Sequence, residues 1–247
     1  MKHIANRVAP RFFAPVKLSP GTEIELPERV AQHCAVLRLR RGETVILFNG
    51  EGGEFTAELT RVSRDNTHAH VISRQAVERE SPLAIALAQC VSSGDRMDIT
   101  LQKSTELGVA RIVPIASERS VVRLSSDRAD RRVEHWRNVV IAACEQCGRN
   151  RVPEIAAITD FATFLGGVGG EGMRLLLAPD ADRDLKHLGP PRAVTLLVGP
   201  EGGLAPEERR GAETNGFVPL RFGPRVLRTE TAPLAAIAAM QALWGDC

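Results

Sequence analysis

No run of about 18 apolar residues occurs in the 247-residue sequence, so a membrane-spanning helix is not expected. The N-terminus, Met1-Lys-His-Ile-Ala-Asn-Arg-Val-Ala-Pro10, has no hydrophobic core of a secretory signal, which makes the cytoplasm the expected compartment. The five cysteines (34, 90, 144, 147 and 247) are odd in number and scattered, excluding a disulfide framework. Cys144-x-x-Cys147 lies near the end of a predicted helix rather than at its start, and no second Cys or His pair stands at zinc spacing. Neither a thioredoxin-type redox site nor a metal site is therefore expected. Lysine is almost missing. Lys2, Lys17, Lys103 and Lys186 are the only ones, and every other of the 32 basic residues is arginine, the side chain suited to planar, bidentate contact with phosphate. The net charge of +2 carries no message about partners, but nine arginines against five acids between Arg111 and Arg151 form a local basic excess of the kind RNA attracts.

What is present divides the chain in two. Residues 1–77 read as a small β-rich, barrel-like module. Strands are predicted over Thr22–Leu26, Thr44–Phe48, Glu54–Val62 and Thr67–Val77, with a short helix over Pro27–Leu37 and a hairpin turn at Asn49-Gly-Glu-Gly-Gly53. Phe12 and Phe13 are expected in its core. Glu78–Pro82 marks the boundary, and residues 78–247 follow the alternating strand and helix grammar of an α/β domain. Its strands are expected at Leu83–Val91, Arg111–Ala116, Met173–Ala178 and Val194–Val198, and its helices at Asp95–Leu107 and Arg131–Cys147. Gly167-Val-Gly-Gly-Glu-Gly172 matches G-x-G-x-x-G, but a helix-like segment precedes it and a strand follows. A dinucleotide fingerprint requires the opposite order, so the match is rejected.

Two loops carry the functional signal. Gly199-Pro200-Glu201-Gly202-Gly203 stops an apolar strand and leaves backbone groups bare for close approach of a ligand. Leu227-Arg228-Thr229-Glu230-Thr231-Ala232 sets a cation, two hydroxyls and a carboxylate at the start of the alanine-rich helix Leu234–Trp244, whose first-turn amides are available. In an open α/β sheet the ligand crevice lies outside the carboxyl ends of the strands, where both loops fall and where Pro179 adds a third.

Val198-Gly-Pro-Glu-Gly-Gly203 followed by Leu227-Arg-Thr-Glu-Thr-Ala232 resembles the signature of the bacterial small-subunit ribosomal RNA uridine-N3 methyltransferases of the SPOUT superfamily. Lys103-Ser-Thr-Glu-Leu-Gly-Val109, Glu145-Gln-Cys-Gly-Arg149 and Arg11-Phe12-Phe13 agree with it, although Cys147 and Leu204 depart from the family's usual residues. The resemblance implies a SPOUT-type trefoil-knotted α/β domain that binds S-adenosylmethionine, a PUA-like N-terminal RNA-binding module, a homodimer, and 16S ribosomal RNA of the small ribosomal subunit as partner. Under it, Leu197, Gly199, Glu201, Gly202, Leu220, Phe222, Gly223 and Leu227 cradle the cofactor. Arg7, Arg11, Arg38, Arg40, Arg41, Lys103 and Arg149 become the expected RNA contacts.

Methyl transfer to uridine N3 requires loss of a proton and stabilisation of the charge left behind. Arg228 is the candidate cation. Glu230, Glu201 and solvent stand as unranked proton acceptors, with Arg228 and Glu230 as the catalytic pair. Two other readings are weighed against this one. A non-catalytic RNA-binding or assembly protein would have no need of intact ligand loops. A nucleotide-dependent enzyme would need the lysine and hydroxyl of a phosphate loop, which Gly199–Gly203 lacks.

Overall fold

The computed structural model describes residues 9–64, 66–120 and 126–247. Arg7, one of the expected RNA contacts, lies outside them. The chain forms two compact units, one built from the residues up to Glu80 with Cys144–Val152, the other from Ser81–Ala143 with Pro153–Cys247.

The first unit is a five-stranded sheet in the order β1 (Arg11–Phe13), β3 (Thr44–Phe48), β4 (Glu54–Arg61), β5 (His68–Gln75), β2 (Glu23–Glu25), with helix α1 (Glu28–Val36). β3 and β4 pair antiparallel across the glycine-rich turn, where Gly50, Gly52 and Gly53 all take positive φ. The short strand β1, which has too few residues to show a period, pairs parallel to β3. Alternate residues of the strands point inward, and Phe12, Val45, Leu47, Phe55, Leu59 and Val71 share one core with Val30 and Cys34 of α1. Phe12 is fully buried with its ring edge-on to His33, and Phe13 packs on Phe48, so both belong to the packing.

Segment 144–152 is tied into this unit by charge-assisted hydrogen bonds. Arg11 donates to Glu54 (2.6 Å), to Asn150 Oδ1 (2.7 Å) and to the carbonyls of Gly148 and Arg149. Glu145 Oε1 accepts from the Phe13 amide and from Arg29, and the Asn150 amide donates to the Val77 carbonyl. Arg149 is buried against Glu80. Two of the expected phosphate contacts, Arg11 through Nη1 and Nη2 and Arg149 through Glu80, are thus engaged inside the unit. Arg38, Arg40 and Arg41 are exposed on the turn between α1 and β3.

The second unit is an all-parallel, seven-stranded sheet in the order β12 (Val218–Leu220), β10 (Met173–Leu177), β11 (Ala193–Val198), β6 (Ala84–Cys90), β7 (Arg111–Ala116), β8 (Glu154–Ile155), with β9 (Thr159–Asp160) also on β7. The strands are near-continuous apolar runs, as expected for a sheet covered on both faces. Ala88, Cys90, Leu176 and Leu197 face α4 (Phe161–Gly167) and α5 (Pro206–Thr214) through Phe161, Phe164 and Ala212. α2 (Asp95–Glu106) packs against α6 (Thr231–Trp244). Gln241, fully buried on α6, donates to the Leu107 carbonyl (2.8 Å) and accepts from Ser81 Oγ (2.7 Å). α3 (Ser126–Cys147) begins five residues before the expected start at Arg131, with Asp127 in its first turn, where the helix dipole favours an acid. The rejected glycine pattern lies between α4 and β10, in the order helix, loop, strand. Cys144 is buried and its thiol is pushed up to about 12 by that burial, which makes it an inert member of the pair with Cys147.

The ion pairs of the first unit have a pH signature. Burial pushes the Glu54 carboxyl up, but hydrogen bonds from Arg79 and then Arg11 outweigh it and hold the group below the usual glutamate range. A depressed acid stabilises the fold above its unfolded pKa and loses that contribution as pH falls through the folded value. Glu54→Gln is expected to lower the thermal midpoint at neutral pH, with the gap to the native chain closing below about pH 4. A gap constant from pH 7 to pH 3 would contradict this.

Candidate active site

β11 lies in the interior of the sheet and ends at Val198, where Gly199-Pro200 turns the chain out. A backbone bond from Gly203 to the Pro200 carbonyl (2.8 Å) closes the turn, with Gly203 at φ 68, a conformation that favours glycine. Pro206 then opens α5, and Glu208 reaches back to the Ala205 amide (3.0 Å). Beyond β12 the chain runs through Arg221–Glu230 to α6, whose first amides, Thr231 and Ala232, bond to the Arg228 carbonyl. The two loops meet through one side chain. Thr229 Oγ1 donates to the Gly199 carbonyl (3.0 Å), and the fully buried Gln89 at the end of β6 donates to Thr229 Oγ1 (3.3 Å).

Between these loops and the end of β10 lies a cavity of about 700 Å³. Leu176, Leu177, Leu220, Phe222 and Leu227 supply apolar wall, and Gly199–Gly203 supplies bare backbone. Of the ten expected cofactor and catalytic residues, Gly199, Glu201, Gly202, Leu220, Phe222, Leu227, Arg228 and Glu230 line it, whereas Leu197 is buried beneath it and Gly223 is not part of its lining. A Cβ built on Gly202 would meet only the stem of Arg119, at 3.6 Å, while one on Gly199 would press on the Leu204 amide at 3.3 Å. Close approach is therefore demanded of Gly199 by the protein itself, and at Gly202 the backbone is left open to a ligand.

The two acids differ in their surroundings. Glu201 accepts from Arg96 (2.9 Å), from Ser93 Oγ (3.2 Å) and from the Ser93 amide (3.3 Å). Burial pushes its carboxyl up, but its own backbone amide, Arg96 and Ser93 together hold it below the usual range, so it is ionised and occupied. Glu230 Oε2, by contrast, is buried with no hydrogen-bond partner among the described residues, the nearest cation being Arg96 Nε at 4.0 Å. The residue lines the cavity, but this oxygen is shielded from it, a buried acceptor without a donor.

Five arginines line the cavity: 96, 119, 209, 225 and 228. Arg96 is held by Glu201, Arg119 by the Gly202 carbonyl (3.0 Å), and Arg209 by Asp180 (2.6 Å) and Glu213 (3.0 Å). Arg225 and Arg228 are exposed, and no side-chain bond engages either among the described residues. Arg96, Arg119 and Arg209 escaped the sequence reading because nothing local marks them. Gln89 left a signal, a polar residue in the apolar run Ala84–Cys90, since a fully buried amide in such a strand has to bond something. Lys103 lies on α2, paired with Glu106 (2.8 Å), and is not part of the cavity lining. No group of three or more His, Cys, Asp or Glu side chains among the described residues could hold a metal ion.

Comparison with known proteins bears on this arrangement. Residues 79–241 match the RNA methyltransferase domain family, and residues 26–72 match the RNA methyltransferase PUA domain family. The ribosomal RNA small subunit methyltransferase E of Buchnera aphidicola is 32% identical over 96% of this chain and 97% of its own. The crystal structure of a ribosomal RNA small subunit methyltransferase E from Neisseria gonorrhoeae, bound to S-adenosylmethionine, superposes with a TM-score of 0.93 at 45% identity, covering 96% of this chain and 99% of the other. A Legionella pneumophila protein described as a methyltransferase and solved with S-adenosylmethionine gives 0.94 at 41% identity, covering 97% and 99%. The open glycine backbone, the apolar wall and the free arginine at the sheet's carboxyl edge therefore sit in a chain that belongs to the ribosomal RNA small subunit methyltransferase E family of RNA methyltransferases.

Proposed function

We propose that the chain methylates N3 of a uridine in 16S ribosomal RNA of the small ribosomal subunit, using S-adenosylmethionine and working as a homodimer. The observation that carries this reading is the unengaged Arg228 guanidinium on the lining of the same cavity as the bare Gly199–Gly203 backbone. The cavity fits the cofactor: bare backbone at Gly199–Gly203 and the side chains of Leu220, Phe222 and Leu227 suit a flat ring system. When bound, S-adenosylmethionine supplies an electrophilic methyl group. The chain's own task is to position the acceptor, remove its proton and stabilise the anion.

Glu201 is the weaker base, because its own backbone amide and the three bonds on its Oε1 hold its carboxyl below the usual range. Glu230, whose side chain also lines the cavity, takes the N3 proton, and Arg228 stabilises the uridinate oxygen. Arg228 forms no ion pair with Glu230 among the described residues, which leaves it free for substrate.

For RNA, the exposed cations carry the proposal: Arg38, Arg40 and Arg41 in the first unit, Arg225 and Arg228 in the second. Arg11 and Arg149 are assigned to architecture. The dimer is proposed from α6, which buries Pro233, Ala236, Ile237 and Met240 while its other side leaves Leu243 56% exposed beside half-buried alanines. Ile99 of α2, the helix packed against α6, is 45% exposed. An apolar strip of this kind on a soluble chain suits a second copy. The trefoil knot is proposed on the return of the chain from the edge strand β12 past the end of β11 to α2, fastened by Thr229 on Gly199.

Arg228→Ala is expected to lower the single-turnover methylation rate by about 100-fold to 1,000-fold at saturating substrates, with S-adenosylmethionine affinity nearly unchanged. Arg228→Lys should recover only part, since a point charge replaces a planar fork. Parallel loss of rate and cofactor affinity would remove Arg228 from the reaction.

Reversing Arg38, Arg40 and Arg41 to Glu is expected to weaken RNA binding and flatten its salt dependence while calorimetry with S-adenosylmethionine is unaffected. Truncation at Ser81 is a poorer probe, because it strips segment 144–152 of its partners in the first unit. Unaltered RNA affinity in the triple variant would refute the assignment.

Light scattering is expected to give twice the 26.8 kDa of one chain, and Leu243→Arg to shift the mass toward one chain. A native chain of single mass at micromolar concentration would exclude the dimer.

A further inference from the structure

We infer that Gln89 is a positioning residue that acts through the hydroxyl of Thr229 to set Arg228 and Glu230 against the Gly199 loop. The inference rests on the proposed methyl transfer and adds to it a residue outside the cavity lining.

Gln89 is fully buried at the carboxyl end of β6. Its amide nitrogen donates to the Cys90 carbonyl (3.1 Å) and to Thr229 Oγ1 (3.3 Å), and Thr229 Oγ1 donates to the Gly199 carbonyl (3.0 Å). The direction of each bond follows from the first. A carbonyl can only accept, so Cys90 requires the NH2 of Gln89 on its side. Thr229 then meets a donor and has to accept from it, which frees its single proton for Gly199. With the amide turned over, two carbonyl oxygens would face each other, Gln89 would take the threonine proton, and Gly199 would lose its donor.

The arrangement leaves Gln89 Oε1 buried with no partner among the described residues. An unsatisfied buried acceptor is destabilising, and a strand of Ala, Ile, Leu and Cys could hold an apolar residue at position 89 without that penalty. The amide is retained where its donor side is needed. What it holds is the residue between Arg228 and Glu230, so the two proposed catalytic side chains leave the backbone from either side of a fixed point. Displacement of a reacting group by about 1 Å is enough to cost on the order of 100-fold in rate.

The test uses the full chain with Gln89→Met, Thr229→Val, the double variant, and Thr229→Ser. Each of the first two is expected to slow single-turnover methylation of small-subunit RNA by about 100-fold at saturating S-adenosylmethionine and RNA, with cofactor affinity within about threefold of native. Because one relay passes through both residues, the double variant should be no slower than Thr229→Val alone, and Thr229→Ser, which keeps the hydroxyl, should restore most of the rate. The relay also has a readout that does not depend on activity. Hydrogen exchange of the Gln89 side-chain NH2, followed by NMR in the free protein, should be slow in the native chain and in Thr229→Ser and faster in Thr229→Val.

A double variant whose loss equals the product of the two single losses would overturn the inference, as would losses of rate that track cofactor affinity or the thermal midpoint. If the native chain methylates no RNA while the exchange pattern appears as expected, the proposed reaction fails and the hydrogen-bonded relay stands. If methylation occurs but the exchange rate ignores Thr229, the relay fails alone.

Discussion

The hydrogen bond from Thr229 to the Gly199 carbonyl joins two loops that lie 30 residues apart in the chain. It fixes the relation between them together with Arg96, which faces Glu201 of one loop at 2.9 Å and Glu230 of the other at 4.0 Å. The turn at Gly199 leaves backbone bare, and the segment Arg228–Glu230 brings a cation that no side-chain bond engages among the described residues. Thr229, only 8% exposed, ties those two surfaces together through its hydroxyl. A bond of this kind adds little to global stability, about 1 kcal/mol, yet it fixes a geometry on which reaction rates depend steeply.

The distribution of charge around the cavity follows a division of labour. Arg96, Arg119 and Arg209 are committed to protein acceptors, and each commitment shapes a loop: Arg96 holds Glu201, Arg119 holds the Gly202 carbonyl, Arg209 bridges Asp180 on the β10 side to Glu213 within α5. Arg225 and Arg228 have no such ties among the described residues and keep their donors for something else. The acids differ in the same way: Glu201 Oε1 accepts from three donors, whereas Glu230 Oε2 is buried without one among the described residues. Side chains of one type are thus sorted by burial and partners into those the protein engages and those it leaves unengaged.

Much of this was legible in the residue order. Glycine and proline at the ends of apolar runs marked where strands stop, and these stops became the cavity wall because parallel strands deliver their carboxyl ends to one edge. The reversed order of helix and strand around Gly167–Gly172 sufficed to discard a tempting motif. What remained illegible was the fate of each arginine. Arg11 and Arg228 look alike in sequence, yet one is caged by Glu54, Asn150 and two carbonyls while the other stands exposed. Their partners come from residues far along the chain, which no local pattern reports.

The sequence by itself determined the longer strands and helices, the glycine and proline turns that stop them, and the family, because glycine, proline and apolar periodicity act on the backbone locally and family motifs are contiguous. Only the tertiary structure decided the insertion of β11 between β10 and β6, the recruitment of segment 144–152 to the first unit, and the pairing of Gln89 with Thr229. The physical reason is that parallel strands and buried hydrogen bonds draw their energy from partners distant in sequence. An apolar strand carries no mark of which neighbour it will meet.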